Sequence, residues 1–262
     1  MSVAPDLRSL KLRLDRYFGH ENKSHEMDRL RGIRKDHLDR FEKVGVIGGL
    51  VRDFARGGRS AFRSDLDLVI EASSAEVVRF AESVRASPNR FGGYGFVDGP
   101  WKIDFWALER TWAATSGHVR VSHLPDVIRC TFFDWDAVVY DIKQKKLSCD
   151  KDYLEKIRSS RLEINLRANP SELGNLLRAA RRIIRWRLEP GPVLRSFIVE
   201  RLNDQAFDRM RNEERQKFSF RVTDEYDDAK KLRHALLIHP GCRRQDPSQI
   251  DMDFEDNADL AV

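Results

Sequence analysis

The apolar positions change their period several times along the chain, and each change predicts a different element. Between residues 5 and 43, Leu7, Leu10, Leu12 and Leu14 and then Met27, Leu30, Ile33, Leu38 and Phe41 recur at near-helical spacing, so this stretch is expected to be helical. Val44 to Ile47 is a short apolar run that reads as a buried strand. Gly48-Gly49 breaks it, Leu50 to Arg56 reads as a helix, and Gly57, Gly58 and Ser60 mark a loop. Ser64 to Ile70 alternates and is rich in apolar residues, which predicts a strand. Ser73 with Glu76 three residues on forms a capping box that opens a helix to about Ala86. A loop over Pro88 to Gly95 leads into a β-hairpin made of Phe96-Val97, the Asp98-Gly99 turn and Trp101 to Leu108. Val138 to Ile142 and Leu162 to Leu166 are further candidate strands. Ser171 to Leu188 predicts a helix with Leu173, Leu176, Leu177, Ala180, Ile183 and Ile184 on one side and arginines on the other. Val193 to Met210 and Asp227 to Ile238 read as helices, and Pro240 to Val262 reads as poorly ordered.

This order predicts an α+β fold, a small mixed β-sheet flanked by helices and followed by a helical C-terminal region. The expected divisions are an N-terminal helical segment at 1–40, a catalytic head at 41–168, a helical neck-like region at 169–240 and an acidic tail at 241–262. Hydrophobic residues make up 41% of the chain, enough for a sizeable core. No apolar run approaches the roughly 20 residues of a membrane span, and the mixed, charged N-terminus has no signal-like segment, so a cytoplasmic location is expected. The net charge is +5 although Asp251 to Asp259 is acidic, so the remainder is more basic than the total, which favours a polyanionic partner. Cys130, Cys149 and Cys242 form no CxxC pair, which argues against a zinc site or a disulfide framework.

The candidate chemistry lies in Asp65-Leu66-Asp67. Side chains two apart on a strand point the same way, so both carboxylates project from one face while Leu66, Leu68 and Ile70 pack on the other. Adjacent like charges repel, and a divalent cation relieves the repulsion; Mg²⁺ prefers such hard oxygen donors. Asp104, mid-strand among apolar residues and two before Trp106, is the candidate third carboxylate. Between strand and helix, Gly48 and Gly49 let backbone N–H groups approach a phosphate, and Arg52 on the first helical turn is a candidate forked donor to a triphosphate.

Together, Gly48-Gly49-Leu50-Val51-Arg52-Asp53 and Ser64-Asp65-Leu66-Asp67-Leu68-Val69 resemble the head domain of class II CCA-adding enzymes and bacterial poly(A) polymerases, in the DNA polymerase beta nucleotidyltransferase superfamily. The resemblance spans roughly residues 41 to 188. It implies a polymerase-beta-like head, with Asp65, Asp67 and Asp104 as catalytic residues and ligands of Mg²⁺ (or Mn²⁺). Gly48, Gly49, Arg52 and Arg178 would face the nucleotide, and Asp53 would anchor the turn. The implied reaction moves a nucleoside monophosphate from an NTP to an acceptor hydroxyl, an RNA 3′ end (tRNA or another), releasing pyrophosphate. Several positions depart from the family pattern. The loop between Gly49 and Asp65 is longer than usual. In Thr131 to Asp141, Thr131 and Phe132 replace an Arg and an Asp of the family's segment, and Asp136 is the candidate substitute. Before Leu177-Arg178-Ala179-Ala180-Arg181, the base-selecting residues are replaced by Ser171, Glu172 and Asn175. These departures leave open a protein or small-molecule acceptor, and a nucleotide- or RNA-binding module without catalysis.

Arg178, Arg182 and Arg185 share a helix face at i, i+4 and i+7, which suits either an RNA backbone or triphosphate contact or an ordinary solvated surface. Trp106 and Trp186 are open to base stacking or to burial. His118, His123, His234 and His239 have no ligand spacing and read as surface or loop residues.

Overall fold

The computed structural model describes residues 2–19, 25–62 and 65–238. Helix α1 (Leu7–Phe18) is opened by Asp6, whose carboxylate accepts the Ser9 N–H at 2.6 Å. The backbone becomes extended at Gly19, and α2 (His25–Ile33) runs on into a π-helical turn, Arg34–Leu38. The single helical stretch expected over residues 5 to 43 is therefore two helices. Then follow β1 (Val44–Ile47), α3 (Gly49–Gly57), β2 (Leu66–Ile70), α4 (Ser74–Ser83), β3 (Ser87–Pro88), β4 (Tyr94–Asp98) and β5 (Trp101–Ala107). The Ser73–Glu76 capping box is formed in full, and its helix ends at Ser83, three residues short of the expected end. Next come α5 (Trp112–Thr115), a 3-10 segment at Leu124–Cys130, a 3-10 turn at Asp134–Asp136, β6 (Val138–Asp141), β7 (Lys146–Cys149), α6 (Tyr153–Arg158) and β8 (Arg161–Leu162). The chain continues through α7 (Glu172–Trp186), β9 (Glu189–Pro190), α8 (Pro192–Arg201), α9 (Asp204–Lys217) and α10 (Ala229–Leu237).

The helix expected over Val193 to Met210 is broken where Leu202 turns extended and the Asn203 side chain caps α9 by accepting the Ala206 N–H at 2.9 Å. The strand expected over Leu162 to Leu166 shrinks to Arg161–Leu162, paired with β9, plus one bridge from Ile164 to Phe133. The stretch expected to be poorly ordered, Pro240 to Val262, lies outside the described residues, as does His239.

Seven strands form one mixed sheet in the order β3-β4-β5-β2-β1-β6-β7. Its β2–β5 pair is parallel and its other pairs are antiparallel. The architecture is the expected mixed sheet flanked by helices with a helical C-terminal region. The sheet's two faces are packed differently. Val44, Val46, Leu66, Leu68, Ile70, Ile103, Phe105, Val138 and Tyr140 point to one face and join a single apolar cluster with helices α1 to α4. Each fully buried aliphatic or aromatic side chain there stabilises the fold by about 1.5–3 kcal/mol. The same cluster reaches Phe197, Met210 and Leu232 of α8, α9 and α10, so the C-terminal helices are continuous with the core under the sheet. On the opposite face, Ile47, Val69, Leu108 and Val139 pack beneath the 3-10 segment at Leu124–Cys130. Asp67 and Asp104 share this face by strand alternation, Asp67 buried and Asp104 partly exposed.

Candidate active site

Register places the carboxylates. In the parallel β2–β5 pair, Asp67 lies directly beside Asp104, with Leu66 beside Ile103 and Leu68 beside Phe105. Asp65 immediately precedes β2 and shares the face, because its Oδ2 meets the Lys102 ammonium at 2.5 Å. Lys102 Nζ also stands 3.8 Å from Asp104 Oδ2, so one cation serves two carboxylates. Asp67 is buried, and its carboxyl is pushed well above the usual carboxylate range. Burial is the largest cause; the charges of Asp104 and Asp65 add to it, and Lys102 opposes them. The Lys102 ammonium is itself held above its ordinary value: burial lowers it, and Asp65, Asp104 and Asp67 more than compensate.

The Gly48 turn lies at the same end of the sheet. Ile47 closes β1, and Gly48 adopts φ +60°, ψ −120°, a conformation that L side chains rarely take, before α3 starts at Gly49. The N-terminus of α3, with its first N–H groups outside the intrahelical ladder, therefore lies at this end of the sheet. Arg52 sits one turn in, but its guanidinium is committed inward. It donates from Nε to Asp53 at 3.0 Å and from Nη1 to Asp136 at 2.9 Å, and it lies over the Trp186 ring. Asp53 is itself buried, 2% exposed, against Arg52. Asp136 also accepts from Arg182 Nη1 at 2.7 Å. Burial alone would raise the Asp136 carboxyl; Arg182 and then Arg52 outweigh it and hold Asp136 below the usual carboxylate range. Its charge is also the smallest of the causes that raise the Asp67 carboxyl.

Neither reading of the arginine helix covers Arg181 and Arg182. Both are buried: Arg182 joins Asp136, and Arg181 pairs with Glu214, a fully buried carboxylate that also accepts from the Val222 and Thr223 N–H groups at 2.9 and 2.8 Å. Arg178 is half-buried, donates to Asn175, and adds positive charge near Asp136. Trp106 is buried on β5, whereas Trp186 is half-buried and stacked on Trp135 at 6.0 Å with Arg56 over its ring. His123 is exposed beside Glu71.

The donor set suits a hard divalent ion: three carboxylates crowd one face, and one of them is disfavoured in its charged form. Among the described residues, no three His, Cys, Asp or Glu side chains are already gathered around one point. The Lys102 ammonium, on a half-exposed stem, takes the cationic place between Asp65 and Asp104. The sequence reading missed Lys102, although the alternation Lys102-Ile103-Asp104 puts both charges on one face.

No family model matches the chain, and no curated protein matches it. Solved structures do. The apo form I of a tRNA-processing enzyme superposes with a TM-score of 0.52 at 16% identity, over 81% of this chain and 59% of that one. A tRNA nucleotidyltransferase complexed with a primer tRNA and an incoming ATP analogue gives 0.51 at 18%, over 78% and 59%. A CCA-adding enzyme in complex with CTP gives 0.51 at 15%, over 86% and 54%. The fold is that of the CCA-adding enzymes. The resemblance carried by the Gly48-Gly49 and Asp65–Asp67 motifs therefore extends to the architecture, while the chain spans a little over half the length of these neighbours. Among the described residues, no helix is long and apolar enough to cross a membrane.

Proposed function

We propose that the chain is a metal-dependent nucleotidyltransferase that moves a nucleoside monophosphate from an NTP to the hydroxyl of an RNA 3′ end and releases pyrophosphate. The observation that carries this reading is the register that sets buried Asp67 beside Asp104, with Asp65 adjacent, at the sheet end where Gly48 turns into α3. Fold neighbours described with CTP, with an ATP analogue and with a primer tRNA support the choice of NTP and RNA as substrates.

Asp65, Asp67 and Asp104 would hold Mg²⁺ or Mn²⁺, which when bound supplies charge to the phosphates and lowers the pKa of an attacking hydroxyl. Lys102 has a flexible, half-exposed stem on which to withdraw from Asp65 and follow the phosphate charge. Gly48 and Gly49 present the α3 N-terminus to the triphosphate without a Cβ in the way. Asp104, less buried than Asp67, faces the open side and orients the acceptor hydroxyl for in-line attack. Arg52 acts from below: pinned by Asp136 and Asp53, it fixes the turn and lends it positive charge. Arg178 on α7 lends charge from the other side.

A second reading keeps the chemistry and changes the acceptor to a protein or small molecule. It is favoured by the positions that select bases in the resembled family: Glu172 pairs with Arg201 at 3.0 Å, and Asn175 is buried with its carbonyl turned to Arg178. Labelled NTPs, one base at a time, are incubated with Mg²⁺ or Mn²⁺ and total RNA, beside Asp65→Ala/Asp67→Ala. Label on RNA that the double variant abolishes supports the first reading. Label only on protein or small molecules from lysate supports the second, and no label with any acceptor overturns both.

A further inference from the structure

Asp104 has a neighbour that fixes which way its carboxylate faces. Asn89 lies in the loop between β3 and β4, and its side-chain oxygen accepts two backbone N–H groups, from Phe91 at 3.0 Å and Gly93 at 2.9 Å. The loop is closed further by Asn89 N–H to the Gly93 carbonyl at 2.8 Å and Gly92 N–H to the Asn89 carbonyl at 3.3 Å. Two donors on one end of the amide leave no ambiguity about which end is oxygen. The amide nitrogen is therefore turned toward β5, where it donates to Asp104 Oδ1 at 3.4 Å. On β4, Gly95 is directly opposite Asp104. A Cβ at Gly95 would come within 2.6 Å of the same Oδ1, so the absence of a side chain gives that oxygen its place. The other oxygen, Oδ2, is the one on the side of Lys102.

We propose that Asn89, with Gly95, is a positioning residue for the third carboxylate: it takes up Oδ1 and thereby turns Oδ2 toward Asp65, Asp67 and the reacting groups. This rests on the reading of the three aspartates as the catalytic set. A carboxylate on the face of a strand otherwise rotates about its side-chain bonds, and misplacement of a reacting group by about 1 Å can lower a rate on the order of 100-fold. The loop's role is thus to select one rotamer of Asp104 rather than to touch substrate.

The test separates this role from simple turn formation. Asn89→Asp and Asn89→Ser both keep an oxygen that can accept the Phe91 and Gly93 N–H groups, but the first presents an oxygen to Asp104 and the second does not reach it. If Asn89 only shapes the loop, both variants behave like wild type and only Asn89→Ala is impaired. If it positions Asp104, all three lose kcat by about ten-fold or more, with KM for the NTP and the melting temperature little changed in the Asp and Ser variants. The second readout does not depend on turnover: Mn²⁺ affinity, measured by electron paramagnetic resonance on nucleotide-free protein, is expected to weaken several-fold in Asn89→Ser. Wild-type kcat and Mn²⁺ affinity in the Asp and Ser variants would overturn the role of Asn89 alone. A wild type that neither binds Mn²⁺ nor transfers a nucleotide would overturn the carboxylate reading together with it.

Discussion

Asp67→Asn is expected to raise stability and abolish transfer. Asp67 is buried beside Asp104 in a parallel register, where neighbouring strands are about 4.8 Å apart. At an effective dielectric near 20, two like charges at that separation repel by about 3 kcal/mol. Lys102 offsets part of this, and its half-exposed ammonium is screened by solvent. A net gain of about 1–2 kcal/mol for the isosteric amide is a reasonable magnitude for relieving an active-site carboxylate. For a chain of this size that corresponds to roughly 2–8 °C in Tm. The pH dependence has a definite sign. The folded-state carboxyl lies above its unfolded value, so its contribution is fully present below about pH 4 and is lost as pH rises through the folded value. The variant's advantage should therefore be absent near pH 4 and open at neutral pH. Thermal denaturation in EDTA at several pH values measures it. Adding Mn²⁺ should then raise the Tm of the wild type and leave that of the variant nearly unmoved. A metal-free Asp67→Asn protein that melts below wild type at neutral pH would show that Asp67 is a structural carboxylate and refute the reasoning.

Other expectations follow from the buried charges. Asp136→Ala leaves Arg52 and Arg182 without their shared partner and should destabilise the fold by about 3–5 kcal/mol, read by urea denaturation; a loss under about 1 kcal/mol would mean that the triad is solvated. Asp134, buried on the 3-10 turn, has its carboxyl raised to about 7 by burial. Its contribution is complete below about pH 4 and lost by pH 8, up to about 4 kcal/mol. Asp134→Asn keeps the acceptor for the Glu163 N–H and should flatten the fall of Tm between pH 5 and 8; an unchanged slope counts against it. Gly48→Ala forces a side chain into φ +60° and should lose about 1–3 kcal/mol, visible as a lower Tm, together with weaker NTP binding by equilibrium dialysis; an unaffected Kd would remove the turn from the site.

What could be read along the chain was whatever depended on near neighbours. β1, β2, the Ser73–Glu76 box and the Asp98-Gly99 hairpin are each written in a few consecutive residues, and all four are present. The pairing of Asp65 and Asp67 on one face follows from alternation alone. What escaped depends on distant partners. Arg182 is matched by Asp136, 46 positions away, and Arg181 by Glu214, 33 away, so arginines that look solvated on a helical projection are in the interior. β7 and α6 were missed because four and six residues carry too little periodicity to stand out. Asn89 gave no signal, because an Asn three residues before Gly92-Gly93 looks like any turn residue until β5 is laid beside it.

The position of β1 has a consequence for how the protein is made. One of its edges pairs with β2, some 20 residues later in the chain, but the other waits for β6, about 90 residues later, where Ile47 meets Val139. At about 5–20 residues per second, a ribosome needs roughly 5–20 s to bring that second partner out. Through that interval the nascent chain carries an apolar strand with one row of amides and carbonyls unmatched, the kind of edge on which other chains can add. The long interval between the halves of the sheet makes this protein a natural client for whatever shields emerging chains, and synthesis rate between residues 70 and 138 a lever on its yield.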